Sequence, residues 1–226
     1  MSVSESMKAR IGAVMTGLEK NGMKPYYADT KEEALALLAS LLPDGASVGV
    51  GGSVTLDEIG ALPLFRSGKY RFYDRYAPDL TPAETAEIFR QSLTADVFVM
   101  STNAVTEDGC LYNVDGRANR TAALLHGPKS VVVVAGYNKI VPDLDAAVLR
   151  VKTVAAPKNC VRLHCKTPCA VSGHCVSLDR EKNGEKIFPC SGCASPDRIC
   201  AEYVITALQK QRDRVKVILV GEELGY

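Results

Sequence analysis

The sequence contains no long apolar run: its purely apolar stretches, such as Val131 to Ala135, fall far short of the about 20 residues that a membrane-spanning helix needs. It has no surplus of charge either. The 27 basic and 26 acidic residues leave a net charge of +1, so nothing draws the chain as a whole to phosphate polymers or anionic lipid. Lys and Arg are scattered, and no nucleic-acid partner is expected. Internal repeats and low-complexity linkers are missing as well. The opening stretch from Met1 to Arg10 has neither the apolar segment nor the cleavage pattern of a secretory leader, and Glu5 is out of character for an organelle transit peptide. A cytoplasmic location is therefore expected.

What the sequence does contain is 226 residues, 46% of them hydrophobic, enough for one core or one core with a small appendage. Helical spacing covers residues 5 to 20, with Asn21-Gly22 as its stop, and Pro25-Tyr26-Tyr27 reads as extended. Thr30 and Glu33 form a capping-box pattern before a Leu-rich helix that runs to Leu42. Strands and helices then alternate: strands at 46–50, 70–73, 96–101 and 130–135, and helices at 55–64, 82–93, 117–125 and 142–151. That order predicts an α/β fold, a Rossmann-like, mostly parallel sheet with helices on both faces. Ala104–Thr106 and Cys110–Asn113, joined at Asp108-Gly109, predict an added antiparallel hairpin. Residues 199–208 read as a helix and 215–220 as a last strand returning to the sheet.

Two groups of residues carry possible chemistry in the first two thirds of the chain. Gly51, Gly52, Ser53 and Thr55 follow a strand and precede a helix, where backbone amides and hydroxyls can meet an anionic group. No Gly-Lys-Ser/Thr follows, and Val54 stands where a dinucleotide fingerprint has its third glycine. Asp74, about twenty residues on, keeps a ribose contact open. The alternative is a tight turn that needs glycine only for its geometry. In the second group Glu107, Asn113, Asp115, Asn119 and Arg120 lie around strand ends and a helix start. Arg120 could grip a carboxylate or phosphate, and Asp115 or Glu107 could act as general base. Equally, Asp115 could cap the helix and Arg120 simply pair with it.

The ordered set Gly51-Gly52-Ser53-Val54-Thr55, Thr106–Gly109, Asn113–Arg120, Gly136–Val141, Ala156-Pro157, Asn159 and Arg162-Leu163 resembles the LUD (lactate utilization) domain family over nearly the whole chain. The resemblance implies one domain over residues 1–226, with a fold related to the sugar-phosphate isomerase and CoA-transferase superfamily. It implies a part in oxidising lactate, a 2-hydroxy acid, to pyruvate, and places Glu107, Asn113, Asp115, Asn119, Arg120, Asn138 and Lys139 beside the glycine-rich turn around a small anionic metabolite. Lys139 could neutralise a carboxylate of that ligand. The alternatives are a non-catalytic metabolite-binding or assembly module working with iron–sulfur redox subunits, and a CoA-transferase or isomerase-like enzyme. No organic cofactor is indicated, and homo-oligomerisation stays open.

Seven of the eight cysteines fall between Cys160 and Cys200, and in a reducing compartment clustered thiols point to metal or redox chemistry rather than disulfides. Residues 160–200 form a lobe with little apolar periodicity, in which the charged run at 179–186 reads as a hairpin with its tip at Asn183-Gly184. The segments Pro168–Cys175 and Cys193–Cys200 resemble the cysteine tail of one branch of the LUD family, separated here by an inserted stretch. Cys169, Cys175, Cys193 and Cys200 are the expected ligands, with Cys190, Cys165, His164 and His174 as substitutes. Four thiolates suit zinc or an iron–sulfur cluster, and spacing does not choose between them. Free or reversibly oxidised thiols are the third possibility. Cys110 and Cys160 read as small buried residues.

Overall fold

The computed structural model describes residues 3–226. Helix α1 (Glu5–Lys20) is capped by the Ser4 hydroxyl, and strand β1 (Lys24–Ala28) follows. Helix α2 (Lys31–Ser40) starts where the Thr30 hydroxyl accepts from Glu33 N at 3.2 Å, but the Glu33 carboxylate accepts from Asp29 N rather than from Thr30. The reciprocal capping box forms instead at Thr81 and Glu84, opening α5 (Pro82–Ser92). Between them lie β2 (Ser47–Val50), the short helices α3 (Val54–Glu58) and α4 (Ala61–Phe65), and β3 (Arg71–Phe72). The single helix expected over 55–64 is thus broken, because Gly60 adopts a left-handed φ of 76° that no helix can continue through.

Then come β4 (Val97–Met100), the hairpin of β5 (Ala104–Thr106) and β6 (Leu111–Asp115), α6 (Asn119–Leu125), β7 (Ser130–Gly136) and the short β8 (Ile140–Val141). A helix expected to end near Val151 instead continues: α7 (Leu144–Arg150) passes through one π-helical segment, Val151–Ala155, into α8 (Ala156–Arg162). Pro157 sits at the start of α8 and has no N–H to give, which fits a change of hydrogen-bond register at that point.

Six strands form a wholly parallel sheet in the order β1, then β10 (Val215–Val220), β7, β4, β2, β3. Central strand β7 reads as an unbroken apolar run because both its faces are covered. Val131, Val133 and Ala135 pack with α1 residues Val14 and Leu18, while Val132 and Val134 pack with Leu38 of α2 and Leu56 of α3. The mostly parallel α/β architecture with helices on both faces is therefore present. A second, mixed sheet runs β8, β5, β6, β9. Its last member corrects the sequence reading. Residues 199–208 were expected to be helical, but Glu202–Thr206 is strand β9, antiparallel to β6. Five residue pairs join it to β6, and that tertiary pairing outweighs the local helical spacing.

The 160–200 segment carries helices α9 (Pro168–Ser172) and α10 (Val176–Lys182). The charged run is the end of α10 and its exit turn rather than a hairpin. No helix among the described residues is long and apolar enough to cross a membrane.

Candidate anion-binding cleft

A cleft of about 490 Å³ opens at the carboxyl ends of the parallel strands, where open α/β sheets place their ligands and within the usual size of a small-molecule site. Five strand ends supply it. Gly52, Ser53 and Thr55 follow β2, Arg75 follows β3, Ser101, Thr102 and Asn103 follow β4, Lys139 follows β7, and Tyr226 lies after β10. Asp115, Arg117, Asn119 and Arg120 come from the hairpin and α6, and Asn159 and Arg162 from α8.

Arg120 is the structural centre of this wall. Its guanidinium is only 10% exposed, and all five of its N–H groups are used. Nε donates to Asp115 Oδ1 at 3.2 Å, Nη1 to the Ser101 carbonyl at 3.0 Å and to Asn113 Oδ1, and Nη2 to Asn103 Oδ1 and the Val114 carbonyl, each at 3.0 Å. Asp115 is equally occupied, since its second oxygen accepts from the backbone N of Arg120 and Thr121 and from the Thr121 hydroxyl. The pair welds β4, β6 and the start of α6 together. The expectation that Arg120 grips a ligand through its fork gives way to the capping and pairing reading, because the fork has no free donor. Arg120 lends the cleft its charge only, and Asp115 is engaged by Arg120 and by the start of α6.

Lys139 is different. Its side chain is 3% exposed, and Nζ donates to Thr55 Oγ1 at 2.7 Å and Ser101 Oγ at 2.9 Å, which leaves one N–H direction. No carboxylate among the described residues lies within ion-pair reach. Burial, then the positive charges of Arg150 and Arg120, pull its ammonium from its ordinary range down to about 7, against a weaker opposing pull from Glu58. An amine that exchanges its proton near neutrality thus sits in the cleft wall.

The other expected residues separate clearly. Gly51 stands behind the wall, where a Cβ would come within 3.0 Å of the Arg120 side chain. Ser53 spends its hydroxyl on capping α3 through Leu56 N, and α3 is too short to present a useful dipole. Asn119 lines the cleft. Asn113 lies beneath it as an Arg120 acceptor, while Asn138 holds the C-terminal segment, donating to the Gly225 carbonyl and accepting from Leu224 N. Glu107 lies away from the cleft in an ion pair with Arg10 at 2.7 Å, and Asp74 is taken by Arg66 Nε at 2.7 Å and Tyr76 N at 2.9 Å. Neither can serve as base or ribose acceptor in the cleft.

Arg75 and Arg162 had no site role in the expectations from sequence, although Arg162 belongs to the motif set that carries the family resemblance. Arg75 packs its guanidinium over Tyr76 and Phe89, and desolvation lowers its pKa below the ordinary guanidinium range. Arg162 is steered by Asn159 Oδ1 and the Tyr226 hydroxyl. Position after a strand could have flagged Arg75. Arg162 comes from the helix beyond the π-helical segment, which carries no strand-end signal.

The four expected metal ligands, Cys169, Cys175, Cys193 and Cys200, line a single second cavity, together with Tyr112 and Lys152. As the side chains stand, no group of three or more His, Cys, Asp or Glu among the described residues could hold a metal ion.

A solved structure shares this architecture. A DUF162 family protein from Deinococcus radiodurans superposes with a TM-score of 0.50 at 15% identity, over 96% of this chain and 99% of that one. The delta subunit of eIF2B from Chaetomium thermophilum matches 49% of this chain and 48% of its own, at 19% identity and a TM-score of 0.31. No curated protein sequence matches the chain. The model of the LUD domain matches residues 11–220, and the chain belongs to the LUD domain family.

Proposed function

We propose that this protein binds a small anionic metabolite in the cleft, a carboxylate of the lactate and pyruvate class, and that it serves 2-hydroxy acid utilization. The observation that carries the reading is the charge of the lining. Arg75, Arg117, Arg120, Arg162 and Lys139 face Asp115 as the one carboxylate side chain among the lining residues, and Arg120 already pairs with it. A chain of net charge +1 has therefore concentrated unpaired cations in one concave place, where the low-dielectric walls strengthen their pull on an anion. Arg75, Arg117 and Arg162 form no ion pair within 4 Å among the described residues, so their charge is available to a ligand.

Within this reading the groups divide the work. Arg75 and Arg162 hold the carboxylate, with Asn119 and Asn159 as neutral hydrogen-bonding partners. Lys139 gives or takes a proton at an oxygen of the bound acid, because burial brings its pKa down to about 7. Thr55 and Ser101 hold its amine in place. Thermal unfolding in the presence of lactate, pyruvate, phosphate and the neutral analogue lactamide tests the proposal. Stabilisation by lactate or pyruvate, with none from lactamide, is expected. Equal shifts from the charged and neutral compounds, or no shift from any anion, would refute it.

A further inference from the structure

We propose that the cavity between α9, α10 and the segment leading into β9 is the seat of a cubane iron–sulfur cluster held by Cys169, Cys175, Cys193 and Cys200. The fold selects these four from the seven clustered cysteines. Cys160 lies behind Cys169, with the two sulfurs 3.7 Å apart, Cys165 faces the anion cleft, and Cys190 is exposed outside the cavity.

Three further observations point to a bound group rather than to idle thiols. Tyr112 is 2% exposed and lines the same cavity, yet its hydroxyl has no hydrogen-bond partner among the described residues. An orphaned buried hydroxyl costs about 1–3 kcal/mol, and a cluster sulfide or ligating thiolate would accept from it. Lys152 is 5% exposed and also lines the cavity. It donates to Ser177 Oγ at 2.7 Å and the Ser191 carbonyl, but no carboxylate among the described residues lies within ion-pair distance. Arg198 directs Nε at Cys200 Sγ, 3.3 Å away. A cubane cluster in its oxidised resting state with four thiolate ligands is doubly negative, and these two cations are the counter-charge such a group requires.

Geometry favours a cluster over a single ion. Zinc draws each sulfur to about 2.3 Å, leaving no free space between them. Here the four thiols line one cavity, and no three of them are gathered for one ion. Thiolates that meet the corners of a cube stand farther apart than those around one ion, and the apolar side chains of Val148, Val151 and Val176 in the wall keep water from the centre. The four thiols release their protons on ligation.

The test is anaerobic reconstitution of the full chain with equal amounts of ferrous and ferric iron and with sulfide, the oxidation states that the assembled cube contains. We expect iron and sulfide to be bound in equal number, at about four of each per chain, with broad visible absorption that bleaches on reduction. Cys193→Ser and Cys200→Ser lose the bound iron, whereas Cys190→Ser and Cys110→Ser keep it. Tyr112→Phe retains the cluster but shifts its reduction potential to a more negative value, because one hydrogen bond to sulfur is gone. A protein that takes up one zinc and no cluster, that binds no metal, or that holds iron equally well after loss of Cys193 and Cys200 would overturn the proposal. So would an unchanged potential in Tyr112→Phe, for the assigned role of that hydroxyl. None of these outcomes bears on the anion cleft, whose lining does not include these four thiols.

Discussion

Replacing Arg120 by Leu separates a structural linchpin from a ligand-binding arginine. The substitution keeps much of the volume but removes a guanidinium whose five donors are all engaged in a nearly buried site. It strands the Asp115 carboxylate, 12% exposed, together with the Asn103 and Asn113 side-chain oxygens and two backbone carbonyls. Breaking a buried ion pair from one side costs about 3–5 kcal/mol. At about 2–4 °C per kcal/mol for a chain of this size, the melting temperature should fall by about 6–20 °C. Urea titration followed by circular dichroism gives the free energy directly, and Arg162→Ala serves as the comparison because its side chain is exposed and can be removed at little cost in stability. A loss of less than about 1 kcal/mol in Arg120→Leu together with abolished anion binding would contradict this structural role. Arg120 would then be a free ligand-binding group, and the hydrogen bonds described for it would count for little.

Two other consequences follow from buried groups and close contacts. Because the folded-state pKa of Lys139 is depressed to about 7, the unfolded chain holds one more proton than the folded one between about pH 7 and the ordinary lysine value near 10.4. Stability contributed by this residue should therefore rise with pH from neutrality upwards, and the penalty for burying the ammonium is fully present below pH 7. The unfolding free energy of the wild type minus that of Lys139→Met, measured from pH 6 to 9, should increase as pH rises; a difference independent of pH would contradict the assigned environment. Gly17→Ala should destabilise by about 1–3 kcal/mol, although alanine is the better helix former by about 1 kcal/mol. The new Cβ would lie 2.5 Å from the Asp108 carbonyl carbon and 2.7 Å from Gly109 N. A more stable Gly17→Ala protein, by chemical denaturation, would show that α1 can move off the hairpin turn.

The sheet was legible because its central strands are buried on both faces and so appear as short apolar runs between capped helices. Residues 97–100 and 131–135 need no tertiary information to be read. Features set by contact between distant segments were not legible. Asp108-Gly109 announces a turn, but nothing local says that Gly17 of α1 will press against it. Residues 202–206 carry a spacing that suits a helix until β6 is available as a partner. At the site, residue types fixed the neighbourhood but not the roles. Arg120 and Asp115 proved to satisfy one another, Glu107 was drawn to Arg10, and the cations left free, Arg75 and Arg162, arrive from a short strand and a late helix. Among the cysteines, the four that the family resemblance marked line one cavity.

If unpaired cations in the cleft hold a small carboxylate, calorimetric titration of pyruvate into the wild type and into Arg75→Ala/Arg162→Ala should show it. One binding event per chain is expected, weakening with added salt and lost or reduced at least tenfold in the double variant, which circular dichroism should show to be folded. Binding of equal strength in both proteins, or no binding by the wild type, would contradict it.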